Sequence, residues 1–317
     1  MPDQNRLSLE RIEAAPAAIG QEFQHTPQYR AEQIDHDLGC RLIVKVECVN
    51  PIRSFKGRGA ELFFASAEPA TQIVCASAGN FGQAMAYAAR RRRRSLIVYA
   101  AESANTFKVE RMRALGAEVR IAGADFDAAK LAAKAFCEES GAQMVEDGLA
   151  PACSEGAATI ALELLRYPEP IDTLVVPLGN GAMLGGIARY AKAVRPDVEI
   201  IGVCPQGAPS MEQSWRSGTT VELPSIDTVA DGIGVRVPIP EALDDLRHTL
   251  DDILLVSDTA MLNELRVLHR GLGLVVEPSG SAGLAAIRAN PERFGGKLVA
   301  TVLCGGNLTA EQIQEWL

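Results

Sequence analysis

Lys56 has the setting that most invites chemistry. The stretch PIRSFKGRGA, Pro51 to Ala60, places Arg53, Lys56 and Arg58 close together, with Phe55 before the lysine and Gly57 and Gly59 after it. A helix that needs only solubility does not set a lysine among glycines, where the backbone is permissive. The arrangement suggests that something large and flat comes close to the amine. Such an amine can attack a carbonyl or act as a general base. Three strand-to-helix junctions rich in Gly and Asn offer the complementary chemistry. In CASAGNFGQAMAYAA, Cys75 to Ala89, a strand ends at Ala76, and Ser77, Gly79 and Asn80 turn into a helix. Amides at such a helix start bind anions, carboxylates included, although an ordinary capped turn reads the same way. In VVPLGNGAMLGGIARYAK, Val175 to Lys192, a buried strand leads through Gly179, Asn180, Gly181, Ala182 and Met183 into a helix. Glycines here let backbone N–H groups approach a phosphate. In TVLCGGNL, Thr301 to Leu308, a strand ends at Cys304. A buried core thiol is the default there, but the carboxyl edge of a strand is where α/β ligands gather.

A dinucleotide fingerprint is the rival reading of the second junction. Its G-x-G-x-x-G spacing requires glycine at position 184, which is Leu184; the glycines fall at Gly185 and Gly186. The junction also lies past mid-chain. A single terminal phosphate fits better, with a plain tight turn still open. A lysine, a phosphate cradle and polar strand ends together suggest a phosphorylated aldehyde cofactor. Pyridoxal 5′-phosphate is one that forms a Schiff base with lysine and serves as an electron sink.

These groups need elements to carry them. Strands are expected at Leu42–Cys48, Gln72–Ala76, Ser95–Ala100, Ala117–Gly123, Ala142–Glu146, Thr173–Gly179, Val198–Cys204, Asp252–Ser257 and Lys297–Cys304. The runs are continuously apolar rather than alternating, so each strand is expected to be covered on both faces. That is the pattern of parallel sheets with βαβ connections, an α/β fold. Between them lie helices, one capped by Asn105 and stopping at Gly116, another starting at Asp258 and stopping at Gly271 or Gly273. The run Arg90–Arg94 reads as a solvated helix C-terminus, where cations offset the macrodipole, more naturally than as an anion patch.

Bulk properties narrow the class. At 317 residues and 47% hydrophobic, the chain suits about two domains with large cores. A net charge of −9 argues against nucleic-acid or anionic-membrane partners. The N-terminus lacks the basic and apolar regions of a signal peptide, and no apolar run approaches a membrane span. The 7 cysteines form no CxxC pair, which fits a reducing, cytoplasmic setting rather than disulfides or zinc. His25, His36, His248 and His269 have neither metal nor triad spacing.

The motifs SFKGRGA, SAGNFGQAMAYAAR, PLGNGAMLGGIA, TVADGIGV, VEPSGSAGLAA and LCGGN occur in this order. Together they resemble the fold-type-II pyridoxal-phosphate enzymes (tryptophan synthase β-like), most closely the serine/threonine dehydratase and serine racemase branch, from about His25 onward. The resemblance implies two open parallel-sheet domains: a large cofactor-binding domain from residues 1–50 and 148–317, and a small inserted domain, 51–147, whose motion closes the site. It implies that Lys56 holds the cofactor as a Schiff base, that Phe55 lies against its ring and that Asn80 bonds its 3′-oxygen. Gly179, Asn180, Gly181, Ala182 and Met183 would cradle the phosphate. Cys304 would face the pyridine nitrogen, where the family usually has serine or threonine. Ser77, Ala78, Gly79 and Phe81 would bind the substrate carboxylate. The implied reaction is β-elimination from a β-hydroxy amino acid, a small-molecule substrate. Lys56 removes the Cα proton, the hydroxyl leaves, and a 2-oxo acid and ammonia result. A thiol at Cys304 is a weak donor that does not stabilise a protonated ring nitrogen, which favours prompt elimination over transamination.

Departures from the family pattern sharpen these expectations. Racemases of the family place a serine where Ala78 stands, so little racemisation is expected. Phe81 replaces a usual histidine and makes the pocket more apolar. Cys204 and Ser210 occupy positions that are acidic in members that bind a divalent cation, so no magnesium or calcium site is expected there. Arg53 stands for a usual glycine. Its guanidinium could read a second substrate carboxylate, as in a 3-hydroxyaspartate, or simply face solvent. Asp231, within a quoted motif, reads as a loop-stabilising residue. Alternatives are a threonine-synthase-like or cysteine-synthase-like replacement enzyme, an amino-acid racemase, or an amino-acid sensor on the same fold. A homodimer is a family expectation. The chain ends about ten residues after LCGGN, so no regulatory domain, and no isoleucine feedback, is expected.

Overall fold

In the computed structural model, which describes residues 5–317, the apolar runs become strands of two sheets. The strands are β1 (Gln28–Arg30), β2 (Arg41–Val46), β3 (Ile73–Ala76), β4 (Leu96–Ala100), β5 (Glu118–Ile121), β6 (Gln143–Val145), β7 (Thr173–Pro177), β8 (Glu199–Pro205), β9 (Asp252–Val256) and β10 (Leu298–Leu303). One sheet has the order β1-β2-β10-β7-β8-β9, the other β5-β4-β3-β6. All pairings are parallel except β1 with β2. The smaller sheet is thus contiguous in sequence, and the larger draws on both sides of it.

Both faces of the larger sheet are covered, which is why its central strands read as unbroken apolar runs. Leu42, Val44, Val175, Val299 and Leu303 pack into one core, while Ile43, Leu174, Val176, Ala300 and Val302 pack into the other. In the smaller sheet, β3 and β4 are fully buried, but β5 at its edge is half exposed, as is part of β9 at the edge of the larger sheet. Expecting both faces of every strand to be covered was therefore too broad: an edge strand needs only one. β1 escaped the sequence reading because it is three residues long, mostly exposed and without an apolar run.

Helix ends follow local chemistry. Asn105 caps Thr106–Ala114 by accepting from the Phe107 and Lys108 amides, and Gly116 beyond it has φ +93°. The helix Asp258–Leu272 is capped by Ser257, one residue before the expected start, and ends on Gly273. The arginine run closes the helix Asn80–Arg91 and is tied into its surroundings. Arg91 and Arg92 reach Glu61, and Arg94 donates to the carbonyls of Ala67, Glu68 and Thr71. Among the described residues no helix is long and apolar enough to cross a membrane.

Candidate active site

Lys56 opens the helix Lys56–Ser66. The loop before it is organised by Asn50, whose Nδ2 donates to the Glu47 and Ser54 carbonyls at 2.8 and 2.9 Å. Its Oδ1 accepts from the amides of Ile52 and Ser54. The Phe55 amide donates to the Cys304 carbonyl at 3.0 Å, which joins the lysine loop to the end of β10. Two residues past the lysine, fully buried Arg58 forks onto Glu47 (2.8 and 2.9 Å) and reaches Glu163 (2.7 Å) and the Thr159 hydroxyl (2.9 Å). Lys45 pairs with the same Glu163. Burial pushes the Glu163 carboxyl up, but Arg58 and Lys45 outweigh it and hold the group at about 2. A charge cluster buried this deeply persists only because every member is paired, and it pins the first turn that carries Lys56.

The glycines around the lysine answer to the helix, not to a ligand. A Cβ on Gly57 would lie 2.3 Å from the Phe23 ring, and one on Gly59 would lie 2.6 Å from the Cys153 carbonyl oxygen. The flat object beside Gly57 is therefore a phenylalanine, and Gly59 lets the helix seat on the backbone of Pro151–Leu164.

A cleft of about 910 Å³ opens where β3, β7 and β10 end. Phe55, Lys56, Ser77, Ala78, Gly79, Asn80, Phe81, Gly179, Asn180, Gly181, Ala182, Met183 and Cys304 all line it. A second hollow of about 310 Å³ lies beside Phe63, Met144 and Pro151, and none of the expected site residues lines it. The Lys56 Nζ donates to Asp147 Oδ2 at 2.5 Å and sits 4.5 Å from the centre of the Phe55 ring. Two helices point their N-termini at the cleft, Asn80–Arg91 and Ala182–Val194. The first amides of each have no intrahelical acceptor and carry the positive end of the helix dipole. Ser77 Oγ accepts from the amides of Gly79 (3.2 Å) and Gly82 (2.9 Å), which leaves its own proton free to donate.

Asn80 is held on two sides. Its Oδ1 accepts from Asn307 Nδ2 at 2.8 Å, and its Nδ2 donates to Glu277 Oε1 at 2.7 Å, leaving one N–H free. Glu277 also accepts from the Asn307 amide at 3.2 Å. Burial, reinforced by Asp231, raises the Glu277 carboxyl to about 7 against the opposing pull of Lys108 and these hydrogen bonds. Lys108 pairs with Asp231, and Arg236 with Asp127, so ion pairs link the loop Thr228–Val237 to helices beside the smaller sheet. Asp231 therefore has a partner its motif did not announce. Burial, with Glu277 near it, pushes the Cys304 thiol well above its ordinary range although Lys56 pulls the other way, so it stays a neutral thiol.

Arg53 is the one expected site residue that the structure does not bring to the cleft. Its side chain is exposed, and the residue is absent from the lining. Its φ is +51°, in the left-handed region that favours glycine. The loop imposes this: the Arg53 amide donates to the Asn50 carbonyl, and its own carbonyl accepts from the Gly306 amide, both at 2.9 Å. The notion that Arg53 reads a second carboxylate is corrected on this ground. Cys204 is likewise a buried thiol, Sγ 3.6 Å from the Leu178 carbonyl oxygen, and Ser210 bonds the Val235 carbonyl. Asp147, Glu277, Lys108 and Ser279 line the cleft without having been singled out. Only Glu277 and Ser279 carried a signal, since both lie in VEPSGSAGLAA.

The residues present fit pyridoxal phosphate. Gly181 takes φ +89°, and a Cβ on it would lie 2.9 Å from the Ala242 methyl, so the loop at the helix start tolerates only glycine. The Ser279 hydroxyl is buried, lines the cleft and has no hydrogen-bond partner among the described residues. It is a polar group that a polar ligand would satisfy. The profile of the family described as "Pyridoxal-phosphate dependent enzyme" matches residues 19–305. The chain belongs to that family. It is similar to serine racemase of Oryza sativa subsp. indica, 32% identical over 286 residues, covering 88% of this chain and 83% of the relative. It is also similar to L-threo-3-hydroxyaspartate ammonia-lyase of Pseudomonas sp, 30% identical, covering 90% and 91%. A solved threonine deaminase, that of T.th., superposes with a TM-score of 0.89 at 32% identity, covering 95% of this chain and 99% of that one.

Proposed function

We propose that this pyridoxal-phosphate enzyme is an ammonia-lyase that eliminates the β-hydroxyl of a small amino acid such as serine, threonine or a 3-hydroxyaspartate, giving a 2-oxo acid and ammonia. The observation that carries the reading is the convergence of the Lys56 amine with two helix N-termini on one cleft. The amides that open Ala182–Val194 suit the cofactor phosphate, and those that open Asn80–Arg91, with the Ser77 hydroxyl, suit the substrate carboxylate. When bound, the cofactor supplies an electron sink for the charge that develops at the substrate Cα. Lys56 Nζ takes the Cα proton. Phe55 flanks the amine, and Asn80, braced by Asn307 and Glu277, would help to hold the cofactor through its remaining N–H. Neutral Cys304 would give the cofactor ring a weak donor and no negative charge, which supports elimination rather than transamination.

Three of the similar proteins carry three different names, racemase, hydroxyaspartate lyase and threonine deaminase, so the substrate is the finer question. Ala78 has only a methyl group to offer where racemisation needs a second proton carrier, which supports elimination. The exposed position of Arg53 removes the one residue that had favoured a dicarboxylate. The reading extends to a homodimer in the cytoplasm; seven free cysteines, six of them buried, support a reducing compartment. Purified protein incubated with serine, threonine and 3-hydroxyaspartate, assayed for ammonia, 2-oxo acid and D-isomer, tests the proposal. Ammonia and 2-oxo acid in equal amounts without D-isomer support it. Product formation only in the presence of a second nucleophile would replace it with the synthase reading.

A further inference from the structure

Asp147 enters the cleft from the turn after β6, and the function proposed above gives it no task. Among the described residues it is the only side chain hydrogen-bonded to the Lys56 amine, and Lys56 is its only ion-pair partner. Its side chain is 9% exposed. Its backbone is fixed from two sides. Gly148 has φ +86°, and a Cβ on it would lie 2.2 Å from the Asn180 carbonyl oxygen, so this segment presses directly on the anion-binding loop. Arg6 clamps the same segment: its Nη2 donates to the Gly148 carbonyl at 2.5 Å while the guanidinium pairs with Asp245 at 2.7 Å. The other titratable groups nearby are already committed. Glu146 is taken by Lys130 and Lys134. The Cys153 thiol, on Pro151–Leu164, is kept protonated by burial, with Asp147 beside it adding to the effect.

A carboxylate this buried requires a cation. With the cofactor bound, the nitrogen of Lys56 would be held by it and released in turnover, so Asp147 would lose and regain its partner. Meanwhile the incoming amino acid arrives as an α-ammonium, which must shed a proton before its nitrogen can displace that of Lys56. Both nitrogens exchange at one carbon and so pass through neighbouring positions. We propose that Asp147 is a catalytic residue that accepts this proton, so that Lys56 is released as a neutral amine. Its carboxylate accepts one proton from the substrate α-ammonium, leaving a neutral amine and a carboxylic acid. The two protons left on the substrate nitrogen pass to the nitrogen of Lys56 as the lysine departs, so that Lys56 leaves as a neutral amine able to take the Cα proton while Asp147 keeps the first proton as a carboxylic acid. Nothing is oxidised or reduced, and no proton is gained from or lost to solvent. The proposal rests on the reading of Lys56 above.

The test compares wild type with Asp147→Asn and Asp147→Glu. With the holoenzyme and serine, the Asn variant should lose about 100-fold in kcat/KM at pH 7, the range of a lost acid–base group. The loss should shrink with rising pH towards 9, because more of the substrate then arrives as free amine and needs no acceptor. The Glu variant should keep the wild-type shape of the pH profile at reduced kcat. In cofactor-free protein, competitive acetic anhydride labelling at pH 8 should modify Lys56 about tenfold faster in the Asn variant, since an ammonium held by a carboxylate is released. A loss equal at every pH, no loss, or unchanged labelling would overturn the proposal. Faster labelling with wild-type kinetics would also overturn it, leaving Asp147 as a resting partner. If Lys56 proves not to bind the cofactor, the reading of function fails, while the labelling contrast still reports on the Asp147–Lys56 pair.

Discussion

Glu277 offers the most quantitative prediction, because its carboxyl has an environment that opposes its charge. In the unfolded chain it loses its proton near 4.5, and in the folded protein near 7, chiefly through burial. Between those pH values the native state holds the extra proton. Stability therefore falls as pH rises through that window, and the cost is complete above 7. A rise from 4.5 to about 7 corresponds to about 3 kcal/mol. Glu277→Gln removes the titration. Its amide oxygen can still accept from Asn80, but its NH2 then meets the Asn307 amide, so one hydrogen bond is lost at every pH, a cost of about 1 kcal/mol. The variant should be about 1 kcal/mol less stable than wild type near pH 4.5 and about 2 kcal/mol more stable near pH 8, with the two curves crossing between. Urea denaturation of both proteins without cofactor, in half-unit pH steps, measures the difference directly and cancels the contributions of the other acidic groups. Curves that stay parallel from pH 4.5 to 8 would show that Glu277 does not titrate there and would refute the account of its burial.

Gly181→Ala places a Cβ on a backbone with φ +89° and 2.9 Å from the Ala242 methyl, so about 1–2 kcal/mol of stability should be lost and cofactor affinity should fall about tenfold. Thermal unfolding and cofactor titration read both, and unchanged affinity would argue against the phosphate loop. Arg53→Ala should leave the ratio of kcat/KM for 3-hydroxyaspartate over serine within about twofold of wild type, since the side chain faces solvent; a selective loss of about tenfold or more on the dicarboxylate would restore the role withdrawn here. Ala78→Ser should introduce D-isomer formation visible by chiral chromatography, and its absence would mean that more than this methyl bars racemisation.

Much of this architecture could be read from the sequence because parallel strands covered on both faces leave unbroken apolar runs. Leu42–Val46 and Leu298–Leu303 are of that kind, and their ends matched within a residue or two. Gln28–Arg30 was invisible for the converse reason: it pairs at an edge and buries almost nothing. Site residues that lie together in one motif, such as Gly179 to Met183, were legible, since one loop builds the feature. Asp147 was not, because it meets Lys56 only through the approach of β6 to the lysine helix, 91 residues apart in sequence. Arg53 shows the limit of reading residue types alone. Its chemistry suited a carboxylate, but a positive φ imposed by Asn50 and Gly306 turns the side chain away from the cleft. Gly57 and Gly59 were misread for a similar reason: helix packing and ligand approach both demand a missing Cβ, and only the neighbours tell them apart.

The central claim is that the Lys56 nitrogen bonds the cofactor. Borohydride reduction of the purified protein, followed by proteolysis and peptide mass mapping, tests it most directly, with Lys56→Ala as the control. The account predicts the mass of the reduced cofactor on the peptide that contains Lys56 and nowhere in the control. An unmodified Lys56, or the added mass on another cleft lysine such as Lys108, would contradict it.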